Sequence, residues 1–309
     1  MTDWLTIDDI KYFEIELSNY CNAKCPACIR EYSSPESLDN SNISLNQIKN
    51  LISQIPKPKN IKFYFGGTSG DPMMNPEIVE IFNYSAEHVK AVSMDTNGSL
   101  RSTEIWKQLG KISERTGACI RFSIDGLEDT NHIYRVDTNW KLIMRNMKTY
   151  IDAGGYSDWK FLIFEHNKHQ VEEAKQLAKQ LGVTNFTTEP SAREMPNTSV
   201  EITDLPLSKT RNYNASKDIA NSINCRSLKT NYMYISSNYT LYPCCYFHSN
   251  YTSTEDIKCD LNTMPLLSSI EHIKYKNLIT SWESQCPVTC KTHCNENKYW
   301  EKIILSEKI

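Results

Sequence analysis

The sequence predicts an α/β protein with a parallel β-sheet in its long N-terminal part and a small cysteine-rich region at its C-terminus. Short β-like segments alternate with helix-like segments from residue 12 to residue 188, which is the pattern of a parallel sheet. Seven of the eleven cysteines follow residue 224. A chain of 309 residues is long enough for one large core and a smaller appendage.

Six short segments rich in Ile, Phe, Val or Thr are the predicted strands. They are residues 12–17, 61–65, 91–95, 119–124, 159–164 and 185–188. The predicted helices between them are residues 45–55, 77–86, 103–112, 140–153 and 170–181. Six such β/α units require either a barrel or an open sheet.

Local signals mark the ends of several predicted helices. Ser44 and Gln47 have capping-box spacing at the start of the first helix, and Asn75 precedes a proline at the start of the second. Gly154 and Gly182 follow the last two helices at the position where left-handed caps favour glycine.

We expect the chain to divide into three segments. Residues 1–188 form the predicted barrel-like core, and residues 189–224 form a polar bridge with three prolines and no clear period. Residues 225–309 then form a loop-rich domain with a thin core. We expect a metal centre to stabilise that domain.

The charge balance and the N-terminus exclude several classes of protein. With 34 basic and 37 acidic residues, no overall positive field attracts DNA, RNA or an anionic membrane. Neither a signal peptide nor a run of about 18 apolar residues is present. We therefore expect a cytoplasmic protein without a membrane segment or a nucleic-acid partner. Disulfides are rare in that compartment, so the eleven cysteines favour metal or cluster binding.

Cys21, Cys25 and Cys28 form a CxxxCxxC motif directly after the first predicted strand. Three thiolates at this spacing can bind one face of a cubane iron–sulfur cluster and leave one iron open to an exogenous molecule. Zinc is the alternative, because CxxC pairs begin many zinc ribbons. However, no second CxxC or histidine pair follows at ribbon spacing.

This motif and the alternation around it resemble the radical S-adenosylmethionine (SAM) superfamily, from about Tyr12 to Thr188. The resemblance implies a partial (β/α)₆ TIM-like barrel and a [4Fe–4S] cluster on Cys21, Cys25 and Cys28. It also implies that the open iron chelates the amino and carboxylate groups of SAM. Reductive cleavage of SAM would then give a 5′-deoxyadenosyl radical that abstracts hydrogen from the substrate.

A glycine-rich loop, Phe65-Gly66-Gly67-Thr68-Ser69-Gly70-Asp71-Pro72, follows the second strand and departs from the Gly-Gly-Glu-Pro usual in the family. By resemblance, Gly66 and Gly67 let SAM approach the backbone, and Asp71 accepts hydrogen bonds from the SAM ammonium group. Because Asp71 lies four positions after Gly67, either the loop is reshaped or backbone carbonyls replace the carboxylate.

Polar residues also follow the later strands, at the sheet edge where α/β proteins build their sites. The resemblance nominates five of them as SAM contacts: Thr96, Asn97, Ser123, Asp125 and Asn167. Taken singly, each could equally serve as a turn or cap residue. Arg135 could pair with a carboxylate of SAM or substrate, or form a surface ion pair.

The C-terminal cysteines resemble the Twitch or shortened SPASM extension of radical SAM enzymes, in which a hairpin and a following helix carry an auxiliary [4Fe–4S] cluster. The sequence around residues 234–242 predicts that hairpin. The preferred ligands are Cys225, Cys244, Cys290 and Cys294, with Cys286 as a substitute. Cys245 would point away from Cys244, because neighbouring side chains alternate along a strand. One cluster is therefore preferred to the two of a full SPASM domain, and structural zinc is the alternative.

The leading hypothesis is a radical SAM oxidoreductase or maturase that receives an electron from flavodoxin or ferredoxin and acts in peptide maturation. No leader-peptide-binding domain precedes the barrel, which keeps a dehydrogenase or epimerase of a sugar, aminocyclitol or nucleoside as the alternative. From another class, a zinc-stabilised binding module would explain the cysteines without catalysis. A SAM-dependent RNA-modifying enzyme is disfavoured by the near-neutral charge.

Overall fold

The fold is taken from a computed structural model of the chain. It describes residues 4–32, 38, 40–191, 223–249, 257–282, 286–287, 289–290 and 294. Most of the predicted bridge and the segment after residue 294 therefore lie outside the described residues.

Within the described residues, nine strands form one sheet in the order β6-β5-β4-β3-β2-β1-β7-β8-β9. The strands are β1 Tyr12–Ile15, β2 Lys62–Phe65, β3 Ala91–Thr96, β4 Cys119–Ser123, β5 Tyr156–Ile163, β6 Asn185–Pro190, β7 Tyr232–Ile235, β8 Thr240–Tyr242 and β9 Cys259–Asp260. Neighbours from β6 to β7 are parallel, whereas β8 and β9 are antiparallel. The six predicted strands are confirmed, and the open sheet agrees with a partial barrel.

Helices connect the parallel strands, as expected for β/α units. The helices of the described residues are α1 Leu45–Ser53, α2 Ile78–His88, α3 Thr103–Thr116, α4 Asn131–Tyr134, α5 Trp140–Asp152, α6 Val171–Leu181, α7 Arg226–Thr230, α8 Cys245–Ser249, α9 Leu266–Ile270 and α10 Ile273–Thr280. The five predicted helices are confirmed, but α4 was not predicted. No described helix has the length and apolar character needed to span a membrane.

Alternation along the strands gives the sheet two different faces. Phe13, Phe63 and Trp159 pack into the main hydrophobic core with side chains of the helices. The opposite face, here called the inner face, carries Glu14 of β1 and Tyr64 of β2 together with Asp95, Arg121 and Tyr234. The inner face is therefore polar and charged.

The predicted C-terminal hairpin, β7 and β8, is confirmed, and it extends the same sheet. Strand β7 pairs in parallel with β1, with Tyr12 opposite Tyr232 and Ile15 opposite Ile235. The C-terminal cysteines therefore attach to the N-terminal core through a continuous β-ladder. The division of the chain into 1–188, 189–224 and 225–309 stays a prediction.

Helix α1 begins with the predicted capping box of Ser44 and Gln47. Helix α2 begins at Ile78, one residue later than predicted. The predicted cap, Asn75, connects its start to two other segments. Its Oδ1 accepts from Glu77 N at 2.9 Å, and its Nδ2 donates to Leu17 O at 2.8 Å and Ile43 O at 2.7 Å. The buried Asn75 side chain thus fixes the chain as it leaves β1.

We predict that Asn75→Ala lowers the free energy of unfolding by about 3 kcal/mol, because the buried Ile43 carbonyl and the Glu77 N–H lose their partner and the Leu17 carbonyl loses one of its two. Urea unfolding followed by circular dichroism measures this change. Asn60→Ala is the control at an exposed asparagine, and its expected effect is below about 0.5 kcal/mol. Equal effects of the two substitutions would contradict the assigned role of Asn75.

Candidate functional site

The loop that follows β1 carries Cys21, Cys25 and Cys28 as free thiols. Cys25 is buried and the other two are half-buried. Cys28 N donates to Cys25 O at 2.9 Å and closes a turn, while Lys24 N donates to Val136 O at 3.0 Å. The cysteine loop is therefore fixed from within and tied to the segment after α4.

Nitrogen donors surround these sulfur atoms. Cys21 Sγ accepts from Ala23 N at 3.4 Å and lies 4.0 Å from Asn97 Nδ2. Cys25 Sγ lies 3.9 Å from Arg135 Nη1. Contacts of this kind to cluster sulfurs tune iron–sulfur sites.

Burial raises the pKa of Cys21 to about 12, and the charges of Asp71, Cys25 and Cys28 add to this effect. A thiolate at Cys21 is therefore stabilised by a bound cation, and three closely spaced cysteines are a donor set that fits an iron–sulfur cluster. Among the described residues, no three His, Cys, Asp or Glu side chains converge as ligands of a single metal ion. A cubane does not require such convergence, because each cysteine binds a different iron.

The glycine-rich loop folds tightly against the cysteine loop. A Cβ at Gly67 would lie 1.9 Å from Gly70 O, and a Cβ at Gly70 would lie 2.0 Å from Ser18 O. Asp71 N donates to Tyr20 O at 2.8 Å. The extra residues of this loop are therefore accommodated by close backbone packing, which only glycine allows at these two positions.

A first buried network joins Asp71 to the end of β3. The Asp71 carboxylate accepts from Met73 N at 2.9 Å, Thr96 Oγ1 at 2.9 Å and Asn97 N at 2.8 Å. Burial raises its pKa, while these hydrogen bonds act in the opposite direction. A carboxylate offers about four lone-pair sites, so one further donor can be accepted. The assignment of Asp71 to the SAM ammonium group stays a prediction.

A second buried network joins Asp125, Arg135 and Asn167. Arg135 Nε donates to Asp125 Oδ2 at 2.6 Å, and Asp125 Oδ1 accepts from Leu162 N at 2.7 Å. Asn167 Nδ2 donates to Asp125 O and Leu162 O, both at 2.9 Å. Burial is the largest single influence and acts to lower the pKa of Arg135, but the charges of Asp125, Cys25 and Tyr134 together raise it. Arg135 is therefore a half-buried permanent cation beside Cys25, paired with the buried Asp125.

The structure thus gathers most of the predicted SAM contacts into two networks, each of which reaches one sulfur of the triad. Asn97 connects the first network to Cys21, and Arg135 connects the second to Cys25. Gly66 packs against the ring of Tyr64. Ser123 is half-buried at the end of β4. Contacts of Gly66 and Ser123 with SAM stay predictions.

Sequence reasoning missed Glu16, which is fully buried at the end of β1 and accepts from Ser69 N of the glycine-rich loop. The signal was present, because Glu14 and Glu16 interrupt an otherwise hydrophobic strand. A fully buried carboxylate is costly unless it has hydrogen-bond donors. Arg30, which donates to Ser69 O at 3.1 Å, was also missed.

The C-terminal cysteines form a second cluster of thiols. Burial raises the pKa of Cys244, and the charges of Cys245, Cys294, Cys225 and Cys290 raise it further. The four preferred ligands therefore lie near one another, and Cys286 lies near Cys290.

Backbone N–H groups donate to the sulfurs of this second cluster. Those of Ser227 and Leu228 lower the pKa of the Cys225 thiol, which burial raises to about 12. Such N–H contacts fit an iron–sulfur site.

The two remaining C-terminal cysteines have other neighbours. Cys245 Sγ lies 3.7 Å from both Arg226 Nη1 and Tyr232 Oη. Cys259 Sγ lies 3.9 Å from Ser269 O within the main core. Cys245 also lies beside Cys244, so the ligand set of the C-terminal site stays a prediction.

The register of β1 and β7 places the two cysteine sites at opposite ends of the inner face. The triad follows the C-terminal end of β1, whereas Cys225 precedes α7 at the end where Tyr12 pairs with Tyr232. Cys244 returns to the same end, because β8 runs antiparallel to β7. The inner face between the sites is therefore the candidate substrate chamber.

The sequence model of the radical SAM superfamily matches residues 15–181, which is more than half of the chain. The mycofactocin maturase MftC of Mycobacterium ulcerans is 25% identical over 183 residues, covering 58% of this chain and 47% of MftC. The chain thus matches about half of that relative's length.

Two solved structures show the same fold. Streptococcus suis SuiB bound to its precursor peptide SuiA has a TM-score of 0.63 and 15% identity, covering 89% of this chain and 67% of SuiB. BtrN in complex with AdoMet and 2-DOIA has a TM-score of 0.51 and 14% identity, covering 96% of this chain and 98% of BtrN.

We predict that Gly70→Ala displaces the cysteine loop, because the new Cβ would collide with the backbone of Ser18 and Asn19. After anaerobic reconstitution the variant should bind about four fewer irons per chain, as measured by iron and sulfide analysis. Gly117→Ala is the matched control, since its Cβ would meet nothing within 4 Å and only its left-handed φ of 77° is strained. That control should lose about 1 kcal/mol of stability and keep its iron. Unchanged iron in Gly70→Ala would contradict the packing argument.

Proposed function

Because the chain belongs to the radical SAM superfamily, we propose that it cleaves SAM reductively and abstracts hydrogen from an unactivated C–H bond of its substrate. The group held by the triad supplies the electron and the open coordination position for SAM when it is bound. The observation that carries this proposal is the CxxxCxxC loop with its two buried networks, one donating to Cys21 and the other to Cys25.

The residues around the triad have separate roles in the proposal. Asp71 offers its remaining acceptor position to the SAM ammonium group. Arg135 provides a cation for the SAM carboxylate, and Asp125 holds its guanidinium in place. Thr96 and Asn97 orient Asp71 by hydrogen bonds. These contacts prepare the site before SAM binds, which reduces the entropy lost on binding.

The C-terminal site is proposed to hold one auxiliary [4Fe–4S] cluster on Cys225, Cys244, Cys290 and Cys294. Flavodoxin or ferredoxin is the proposed electron donor, in a cytoplasmic setting. The auxiliary cluster would either accept an electron from the product radical or anchor the substrate, depending on whether all of its ligands come from the protein.

Peptide maturation is the proposed reaction class. The name of MftC as a maturase and the complex of SuiB with its precursor peptide support this class. The second candidate is oxidation or epimerisation of a small molecule, which the fold likeness to the BtrN complex with 2-DOIA supports. Adding a peptide encoded beside the gene, or candidate small molecules, and measuring 5′-deoxyadenosine formation would separate the two.

We predict about eight irons and eight sulfides per wild-type chain after anaerobic reconstitution, and about four of each in the Cys21/Cys25/Cys28→Ala variant. Wild type should form 5′-deoxyadenosine from SAM under reductant, and the triple variant should form none. Cys259→Ala is the matched control. This variant should retain the wild-type iron content and SAM cleavage, because Cys259 lies in the main core.

Other outcomes have definite meanings. About twelve irons in wild type would indicate two auxiliary clusters, as in a full SPASM domain, instead of the one proposed. Zinc without iron, together with no 5′-deoxyadenosine, would overturn the enzymatic proposal in favour of a zinc-stabilised binding module.

A further inference from the structure

Glu16 is a fully buried carboxylate on the inner face, immediately after β1. Its Oε1 accepts from Ser69 N at 2.5 Å and from Gly70 N at 3.2 Å. Both amides belong to the glycine-rich loop, which packs on the cysteine loop. One oxygen of Glu16 therefore fixes the backbone beside the proposed SAM site.

The other oxygen of Glu16 contacts the C-terminal region. Oε2 accepts from Tyr234 Oη at 2.8 Å and lies 3.3 Å from His248 Nε2. Tyr234 lies on β7, and His248 lies on α8, which begins directly after Cys244. The rings of Tyr234 and His248 also contact each other, with their centroids 5.3 Å apart. This oxygen therefore reaches the helix that directly follows the proposed auxiliary ligand Cys244.

A buried carboxylate needs its hydrogen-bond donors, because an unpaired charge away from water is costly. Charge-assisted hydrogen bonds are also stronger and more directional than neutral ones. The three donors of Glu16 and the neighbouring His248 ring come from two parts of the chain that are otherwise far apart in sequence. A movement of α8 or β7 that changes the position of Glu16 will therefore move the amides of Ser69 and Gly70.

We propose that Glu16 is a positioning residue that couples SAM binding at the glycine-rich loop to occupancy of the C-terminal cysteine site. Ligation of Cys244 would hold α8, and α8 would hold Glu16 through His248. The coupling is reciprocal, because each bound group favours the same placement of the carboxylate. This inference rests on the proposed function, since it requires SAM at the glycine-rich loop and a bound group at the C-terminal site.

The test measures the dissociation constant of SAM by anaerobic equilibrium dialysis with reconstituted full-length protein. The electron paramagnetic resonance change that SAM causes in the reduced triad cluster is a second readout. We expect Glu16→Gln to weaken SAM binding about tenfold, within the usual range of coupling between sites. Cys290→Ser/Cys294→Ser, which removes two proposed auxiliary ligands, should weaken it similarly.

The combination of these changes decides whether the two sites communicate through Glu16. If they do, adding Cys290→Ser/Cys294→Ser to Glu16→Gln should change the SAM dissociation constant less than about twofold, because the connection is already broken. If the combined variant instead binds SAM about a hundredfold more weakly than wild type, the two changes act independently and the coupling is overturned. Wild-type SAM affinity in Glu16→Gln would overturn it as well.

A milder variant keeps the test decisive if Glu16→Gln does not fold. Tyr234→Phe removes only one hydroxyl donor to Glu16, and we expect it to weaken SAM binding about threefold, with less effect once the auxiliary ligands are removed. Tyr275→Phe is its matched control, because this buried hydroxyl donates to Leu241 O at 3.0 Å and does not contact Glu16. Equal SAM affinities in both tyrosine variants would overturn this inference but leave the proposed function intact. Failure of the wild type to bind SAM would overturn the proposed function as well.

Discussion

The parallel pairing of β1 with β2 on one side and β7 on the other determines where every candidate functional group lies. The cysteine triad leaves the C-terminal end of β1, so its position follows from the orientation of that strand. Pairing with β2 brings the glycine-rich loop beside the triad, because the ends of adjacent parallel strands meet at one edge. Pairing with β7 places the C-terminal cysteines at the other end. A four-residue strand thus relates both cysteine sites to one inner face.

Buried charge is the main energetic cost of this arrangement. Asp71, Asp125 and Glu16 are all nearly or fully inaccessible to solvent, and each would destabilise the fold without its donors. Each carboxylate instead receives several hydrogen bonds from backbone amides and side chains. Satisfied networks of this kind are rigid and favour one arrangement over others. The rigidity explains how loops, which are usually mobile, can hold three cysteines at fixed positions before a cluster or SAM binds.

The sequence predicted the elements whose signals are local. Strand segments were recognised from their residue types, and the start of α1 from the Ser44 and Gln47 pair. The start of α2 was predicted to within one residue, but the bonds from the Asn75 amide to the carbonyls of Leu17 and Ile43 were not, because no local pattern reveals them. Helix α4 was missed because four residues do not establish a helical period. The triad was recognised because the chemistry of a cluster site depends on the short spacing between its cysteines.

By itself, the sequence determined the α/β class, the positions of the N-terminal strands along the chain and the three cysteines of the triad. Each of these depends on residues close together in the chain. The tertiary structure decided which polar residues contact which sulfur and that the hairpin joins the main sheet. It also brought Glu16 into hydrogen-bond contact with Tyr234, 218 positions away in the chain. It likewise brought Cys245 into contact with Arg226 and Tyr232. Buried donors and acceptors must find hydrogen-bond partners, and the groups available to them are close enough only after the chain has folded.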